Sequence, residues 1–224
     1  MGRTNSPETV QVARLNAAAI LFFWVLLRKR TNDGNSSRNE TEHRLNSSFI
    51  SKVEKARRYA EEPERVRFQE FDVEFRGENS THRVTMRGTE FTDTSHSFQT
   101  LGTSSHIMAL QKVLAPMLTD DQQTAGEPFT FGQQSSAYIS QVEKARNYAA
   151  EPDRIKFLSF KATLRGSHDI HQISLHGEEF DCDCHGFQNH GTCAHVMALQ
   201  KILADMLTEE QRTAGQPFSF SGAL

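Results

Sequence analysis

The chain of 224 residues lacks several features that would place it in a familiar class of protein. Its cysteines number three, so a disulfide framework of the kind found in small secreted domains cannot pair them all. It has no excess of basic residues, since 25 Lys and Arg stand against 28 Asp and Glu. It contains no Walker-type glycine loop, no GxSxG and no HExxH motif. The chain thus lacks the motifs of common nucleotide-binding, hydrolase and metalloprotease classes, and we predict no enzymatic activity.

Long hydrophobic runs are also missing, the longest being residues 17–27. As a helix this run covers ~16 Å, against roughly 30 Å of membrane hydrocarbon. Residues 10–30 would be long enough, but they include Gln11 and Arg14. We predict a cytoplasmic protein in which residues 1–47 form an apolar helix and a polar linker. The alternative is a single-pass membrane anchor, with the later domains on the cytoplasmic side because three basic residues follow the run.

All three cysteines lie close together in the second half of the chain, and a histidine follows the last one. One residue separates Cys182 from Cys184, eight residues follow, and one residue separates Cys193 from His195. Three thiolates and one imidazole in two close pairs are the ligand set of a closed, tetrahedral structural zinc site. The sequence therefore predicts that these four residues bind one Zn²⁺ per chain.

The one-residue gaps predict where the ligands lie. Side chains of a strand alternate between its faces, so Cys182 and Cys184 would point the same way from an extended segment. A turn-rich patch follows, and apolar residues then recur with helical spacing. We expect Cys193 at or before the N-cap of this helix and His195 in its first turn, because residues two apart in mid-helix face roughly opposite sides.

The residues alone leave other interpretations of the cysteines open. A disulfide is one, although a bridge across Cys-x-Cys would be strained. A second is a reactive pair in which His195 activates Cys193 for nucleophilic or redox chemistry. A third is that the cysteines are small buried apolar residues. His185 and His190, between the two pairs, are alternative imidazole ligands. The acidic residues around the site are either a solvated surface or hydrogen-bonding partners of a ligand: Glu178, Glu179, Asp181 and Asp183.

Cys-x-Cys, a short spacer, Cys-x-His and an apolar helix together resemble the SWIM-type zinc finger. The resemblance implies that Cys182, Cys184, Cys193 and His195 are zinc ligands and that the finger is a module that binds DNA or proteins. The helicase-like ATPases and transposases that accompany such fingers have no counterpart in this chain. The larger repeat described next is similar to small bacterial proteins that carry this finger, and it implies no particular chemistry.

The second half of the chain repeats the first. Residues 53–57 and 142–146 both read Val-Glu-Lys-Ala-Arg, and the two copies are 89 positions apart (142 − 53 = 89). Similarity at one fixed offset, without gaps, identifies a duplicated structural unit. We predict two homologous units, at residues 48–131 and 132–224.

Each unit combines helical and strand patterns. It opens with an amphipathic helix, residues 50–62 or 139–151, that ends before a proline. Alternating apolar residues in residues 66–76 predict a strand with a bulge near Gln69. Two further strands follow, turning at Gly88, and the second unit shows the same pattern.

The rest of each unit is predicted to be helical. A long helix follows the ligand region, and Thr119-x-x-Gln122 or Thr208-x-x-Gln211 is a capping box for one more short helix. The predicted fold class is therefore α+β, with a helix, a small antiparallel sheet and a further helix in each of two tandem units.

The ligand positions differ between the two units. Counted back by 89, the equivalents of the four ligands in chain order are Asp93, Ser95, Ser104 and His106. Hydroxyl groups are poor zinc ligands, and all three thiolates are gone. We therefore predict that residues 48–131 are a degenerate repeat whose scaffold stands without metal.

Charge guides the prediction of a partner. Residues 48–131 carry 10 Lys and Arg against 13 Asp and Glu, and residues 132–224 carry 8 against 11. A nucleic-acid-binding domain usually has a basic face, so we predict a protein partner, with DNA as the alternative if the basic residues of the first helices gather on one side. Two further alternatives are a thiol redox or zinc-dependent enzyme and a membrane-tethered interaction protein.

Overall fold

A computed structural model gives the structure of the protein and describes residues 49–126 and 136–215. The apolar run at residues 17–27 and the polar linker lie outside the described residues. Within the described ranges, no helix has the length and apolar character needed to cross a membrane. The described residues all belong to one compact unit.

The structure combines helices with an antiparallel sheet, which confirms the predicted α+β class. The same order of elements occurs twice. The first repeat contains α1 (residues 49–60), β1 (Val66–Arg76), β2 (Thr81–Arg87), β3 (Glu90–Asp93), α2 (His96–Leu101), α3 (Ser105–Val113) and α4 (Asp120–Thr124). The second contains α5 (Ser136–Ala149), β4 (Ile155–Arg165), β5 (Ile170–His176), β6 (Glu179–Cys182), α6 (His185–His190), α7 (Ala194–Ile202) and α8 (Glu209–Thr213). Short 3₁₀ turns follow α1, α3, α5 and α7.

The strands form one antiparallel sheet in the order β3-β2-β1-β4-β5-β6. At its centre Phe71 of β1 faces Phe160 of β4, the residue 89 positions later. The sequence predicted a small sheet in each unit, whereas the structure joins the two sets of strands. The physical reason is that a long apolar strand left at an edge would expose unpaired backbone groups, and β1 and β4 satisfy these groups by pairing with each other.

The central pair, Phe71 and Phe160, belongs to a cluster of four phenylalanines in the core. Phe68 stacks on Phe157 with 5.6 Å between ring centroids, and the edges of Phe71 and Phe160 meet these two rings. Each aromatic side chain buries a large apolar area, so the cluster ties the two repeats into one core.

The first helix of each repeat packs against the other repeat. Helix α5 of the second repeat lies against α3 of the first. In the same way, Val53 and Ala56 of α1 line a groove together with Met197 of α7. The Tyr59 hydroxyl of α1 also lies 3.0 Å from the Ser167 hydroxyl. The two repeats have therefore exchanged their first helices.

Several local predictions are confirmed. The β1 register shifts between Phe68 and Glu70 as expected for a bulge, Gly88 has a positive φ of 59°, and both capping boxes are present. Helices α2 and α6 were not predicted, since six residues are too short to show a hydrophobic period. Their ends are set by capping side chains at Ser95 and Cys184 and by left-handed glycines that follow them.

Candidate metal centre

The structure brings the four predicted ligands together in the second repeat. Cys182 ends β6, Cys184 is the N-cap of α6, Cys193 is the N-cap of α7, and His195 lies in the first turn of α7. The expected positions of Cys193 and His195 on their helix are confirmed. All four side chains are buried, and their ligand atoms lie within 4.8 Å of one another.

Two of the thiols lie at helix amino termini. The Cys184 sulfur accepts a hydrogen bond from the backbone N–H of Phe187 at 3.4 Å, and the Cys193 sulfur accepts one from Val196 at 3.5 Å. Donors of this kind favour a thiolate over a thiol. The Nδ1 atom of His195 lies 3.9 Å from the Cys182 sulfur, so Nδ1 is the imidazole atom that faces the cysteines.

The cysteines do not share negative charge equally. Hydrogen bonding to Cys193 and burial raise the pKa of Cys182, and burial raises the pKa of Cys184. The pKa of Cys193 is lowered, first because Cys182 donates a hydrogen bond to it and then by His195 and the N–H of Val196. The protein groups alone therefore stabilise one thiolate, and a cation is needed to stabilise three. This donor set fits a metal ion, and the buried group of three cysteines and one histidine could hold one.

The ring of His195 is held between two other aromatic rings. Tyr59, from the first repeat, stacks on it at 5.7 Å and 17°, and His171 of β5 stacks on the ring at 4.2 Å. The Asp183 carboxylate lies 3.1 Å from His171 Nδ1. Asp183 thus contacts the neighbour of a ligand and not the ligand itself.

The alternative imidazole ligands do not join the group. The ring of His185 points to Asn189, with 2.8 Å between Nε2 and Nδ2, and His190 is exposed.

Sequence reasoning also missed Tyr59, because its contact with His195 joins residues of different repeats. The available signal was the recurrence of a tyrosine at the same place in both first helices, Tyr59 and Tyr148.

The first repeat has a different centre at the equivalent place. Asp93 ends β3, and its side chain is buried. The Oδ2 atom accepts hydrogen bonds from Ser95 Oγ at 2.8 Å, Ser104 Oγ at 2.5 Å and His106 Nδ1 at 2.9 Å. The Oδ1 atom accepts a fourth from the backbone N–H of Ser95 at 2.8 Å. The carboxylate is therefore the shared acceptor of the cluster.

These hydrogen bonds keep Asp93 ionised. Burial alone would raise the pKa of Asp93, but the bonds from His106, Ser104 and the Ser95 N–H outweigh burial and lower the pKa from 3.8 to about 2. Tyr148 stacks on His106 at 5.7 Å and 14°, as Tyr59 does on His195. His82, Asp93 and His106 also lie close enough together to share an ion.

Replacing Tyr59 with alanine should weaken metal binding in the other repeat. The variant removes the ring that fixes the orientation of His195, and loss of a group that supports a ligand typically costs 10 to 100-fold in affinity, so we expect about tenfold. Tyr59→Phe, which keeps the stacked ring, should restore most of the affinity. The measurement is competition for the metal with a chromogenic chelator.

Tyr148→Ala is the matched control for this experiment. It removes the equivalent ring from above His106 and should leave metal affinity unchanged. An equal loss in Tyr59→Ala and Tyr148→Ala would mean that the effect comes from general destabilisation.

Replacing Asp93 with asparagine should destabilise the fold in a pH-dependent manner. A carboxylate whose pKa is lower in the folded state than in the unfolded state adds stability above pH 3.8, and this is lost as pH falls towards about 2. The shift corresponds to roughly 2 kcal/mol, so Asp93→Asn should cost at least that near neutral pH. The measurement is the difference in unfolding free energy between variant and wild type, by urea denaturation from pH 7 to pH 2.5.

Taking the difference cancels the contribution of any metal bound at the cysteines, which both proteins would share. The other titratable groups near Asp93 are His82 and His106, with Glu78 and Lys144 beside the same pocket, and none of them is changed. Glu90→Gln, at an exposed position of β3, is the control and should show no such dependence. A penalty that stays constant down to pH 2.5 would contradict the assigned role.

Comparison with known proteins gave no relative. No protein-family model, no curated protein and no solved structure matches this chain. The resemblance to the SWIM-type finger therefore depends on the four ligand positions and on the helix that follows them. The structure adds that these positions meet in space.

Proposed function

We propose that the second repeat is a structural zinc centre of the SWIM type, with Cys182, Cys184, Cys193 and His195 as ligands. The observation that carries the proposal is the convergence of four buried ligand atoms within 4.8 Å. Thiolate and imidazole ligands in a tetrahedral set favour zinc over harder cations. Four protein ligands leave no open position for a substrate, so we assign the centre a structural role and no catalysis.

The role of the ion would be to fasten several chain segments together. Its ligands come from the end of β6 and the starts of α6 and α7. Tyr59 adds α1 of the first repeat through its contact with His195. Metal binding would therefore stabilise the packing of both repeats, because an ion that binds only the folded state adds its binding free energy to folding.

We further propose that the assembled surface binds a protein. Both repeats have a net negative charge, and a basic residue of α1 pairs with the acidic residue that follows the helix, Arg57 with Glu61 at 3.7 Å. Ile50 and Val53 of the same helix are 50% and 45% exposed. Exposed apolar side chains beside a groove favour a protein partner over a phosphate backbone. A reducing compartment such as the cytoplasm suits this role, because it keeps the three thiols available for metal.

The metal content of the purified protein tests the proposed centre. We expect close to one zinc per chain by elemental analysis that also measures iron, copper and nickel. Cys193→Ser removes one of the four ligands and should reduce the zinc content to near zero. Ser104→Ala, at the equivalent position of the first repeat, should leave the content unchanged. Wild-type protein that contains no zinc and takes none up on addition would contradict the proposal.

Binding to nucleic acid across a salt series tests the choice of partner. Because both repeats have a net negative charge, we expect the protein to bind a mixed-sequence DNA duplex no more tightly than about 10⁻⁴ M at physiological salt, the weak end of non-specific binding. The measurement is fluorescence anisotropy of a labelled duplex at increasing salt. Tight binding at low salt that weakens steeply as salt rises would instead establish DNA as the partner.

A further inference from the structure

The two centres have the same backbone conformation at equivalent positions. Ser95 and Cys184 have φ, ψ angles of −72°, 150° and −72°, 144° as N-caps of α2 and α6. Ser104 and Cys193 have −149°, 161° and −152°, 167° as N-caps of α3 and α7. In both repeats the oxygen or sulfur accepts a hydrogen bond from the backbone N–H three residues later. Only the side-chain chemistry differs between the two places.

Asp93 reaches farther than the residue it replaces. A carboxylate oxygen is one bond farther from Cβ than a cysteine sulfur is. At the place of Cys182, its oxygen therefore extends beyond the ligand position and towards the point where an ion would lie. In the structure, the equivalents of the other three ligands, Ser95, Ser104 and His106, all donate to Asp93 Oδ2 within 2.9 Å.

We propose that the carboxylate of Asp93 takes the place of a metal ion in the first repeat, which is thereby held together without metal. The charges are reversed between the two centres. In the second repeat three thiolates would surround a cation, whereas in the first repeat two hydroxyls and one imidazole N–H surround an anion. Both arrangements fasten the end of a strand to the starts of two helices.

The same hydrogen bonds argue against a metal bound by His82, Asp93 and His106. A carboxylate oxygen offers about two acceptor sites, and Asp93 Oδ2 already accepts three hydrogen bonds. The rings of His82 and His106 are also stacked with 4.5 Å between centroids, so their faces oppose each other. An ion on Asp93 Oδ2 would have to displace the serine donors.

Cobalt titration of the wild-type protein gives the first test. Co²⁺ reports tetrahedral thiolate ligation by its visible absorption, and elemental analysis gives the ions bound per chain. We expect one ion, at the cysteine centre, and the same count in His82→Ala. A second ion that is lost in His82→Ala would place a metal in the first repeat and overturn the proposal.

Conversion of the first centre gives the second test. In the full chain, Asp93→Cys, Ser95→Cys and Ser104→Cys together restore three thiols beside His106 on a backbone that matches the second repeat. We expect the bound Co²⁺ and its thiolate absorption to double. The single variant Asp93→Cys, with one thiol and no carboxylate, is the control and should bind no additional ion. A folded triple variant with no second ion would show that Asp93 does not occupy an ion's place.

The inference rests on the proposed function for the position of the ion, and the two can fail separately. Wild-type protein without any metal would contradict the zinc centre. One ion in the wild type and no additional ion in the triple variant would contradict only the proposal that Asp93 takes the place of an ion. If the triple variant does not fold, the wild-type titration with His82→Ala still decides whether the first repeat binds metal.

Discussion

The pairing of β1 with β4 is the contact on which the rest of the structure depends. Phe71 faces Phe160, so equivalent residues of the two repeats meet across a local two-fold axis. This pairing closes the exposed edge of each three-stranded sheet and brings Phe68 onto Phe157 in a single core. With the central strands fixed in this way, each first helix lies within reach of the other repeat's centre.

Because the first helices are exchanged, each centre includes residues from both repeats. Tyr59 of the first repeat covers His195 of the second, and Tyr148 of the second covers His106 of the first. A metal ion bound to the cysteines would therefore stabilise packing between the repeats as well as local loops. Because the contact is reciprocal, a change in either first helix acts on the centre of the other repeat.

With zinc bound as proposed, the two centres would hold equivalent chain segments together through opposite charges. Each centre lies where one strand end meets two helix starts. Thiolates need a cation, since the protein groups around Cys193 stabilise only one of them. Asp93 carries its own charge and accepts hydrogen bonds from neighbouring donors, so in our proposal its repeat needs no external ion. In our proposal, one repeat depends on a metal ion and the other depends on the carboxylate of Asp93 instead.

The sequence alone determined the local features. It predicted the α+β class, the bulge in β1, the capping boxes and the position of Cys193 at a helix start, because each depends on residues close together in the chain. The sequence did not predict short capped helices such as α6, since six residues show no hydrophobic period. The joined sheet, the exchange that brings Tyr59 to His195, and the convergence on Asp93 were decided only by the tertiary structure. They depend on contacts between distant segments, and such contacts leave no periodic signal along the chain.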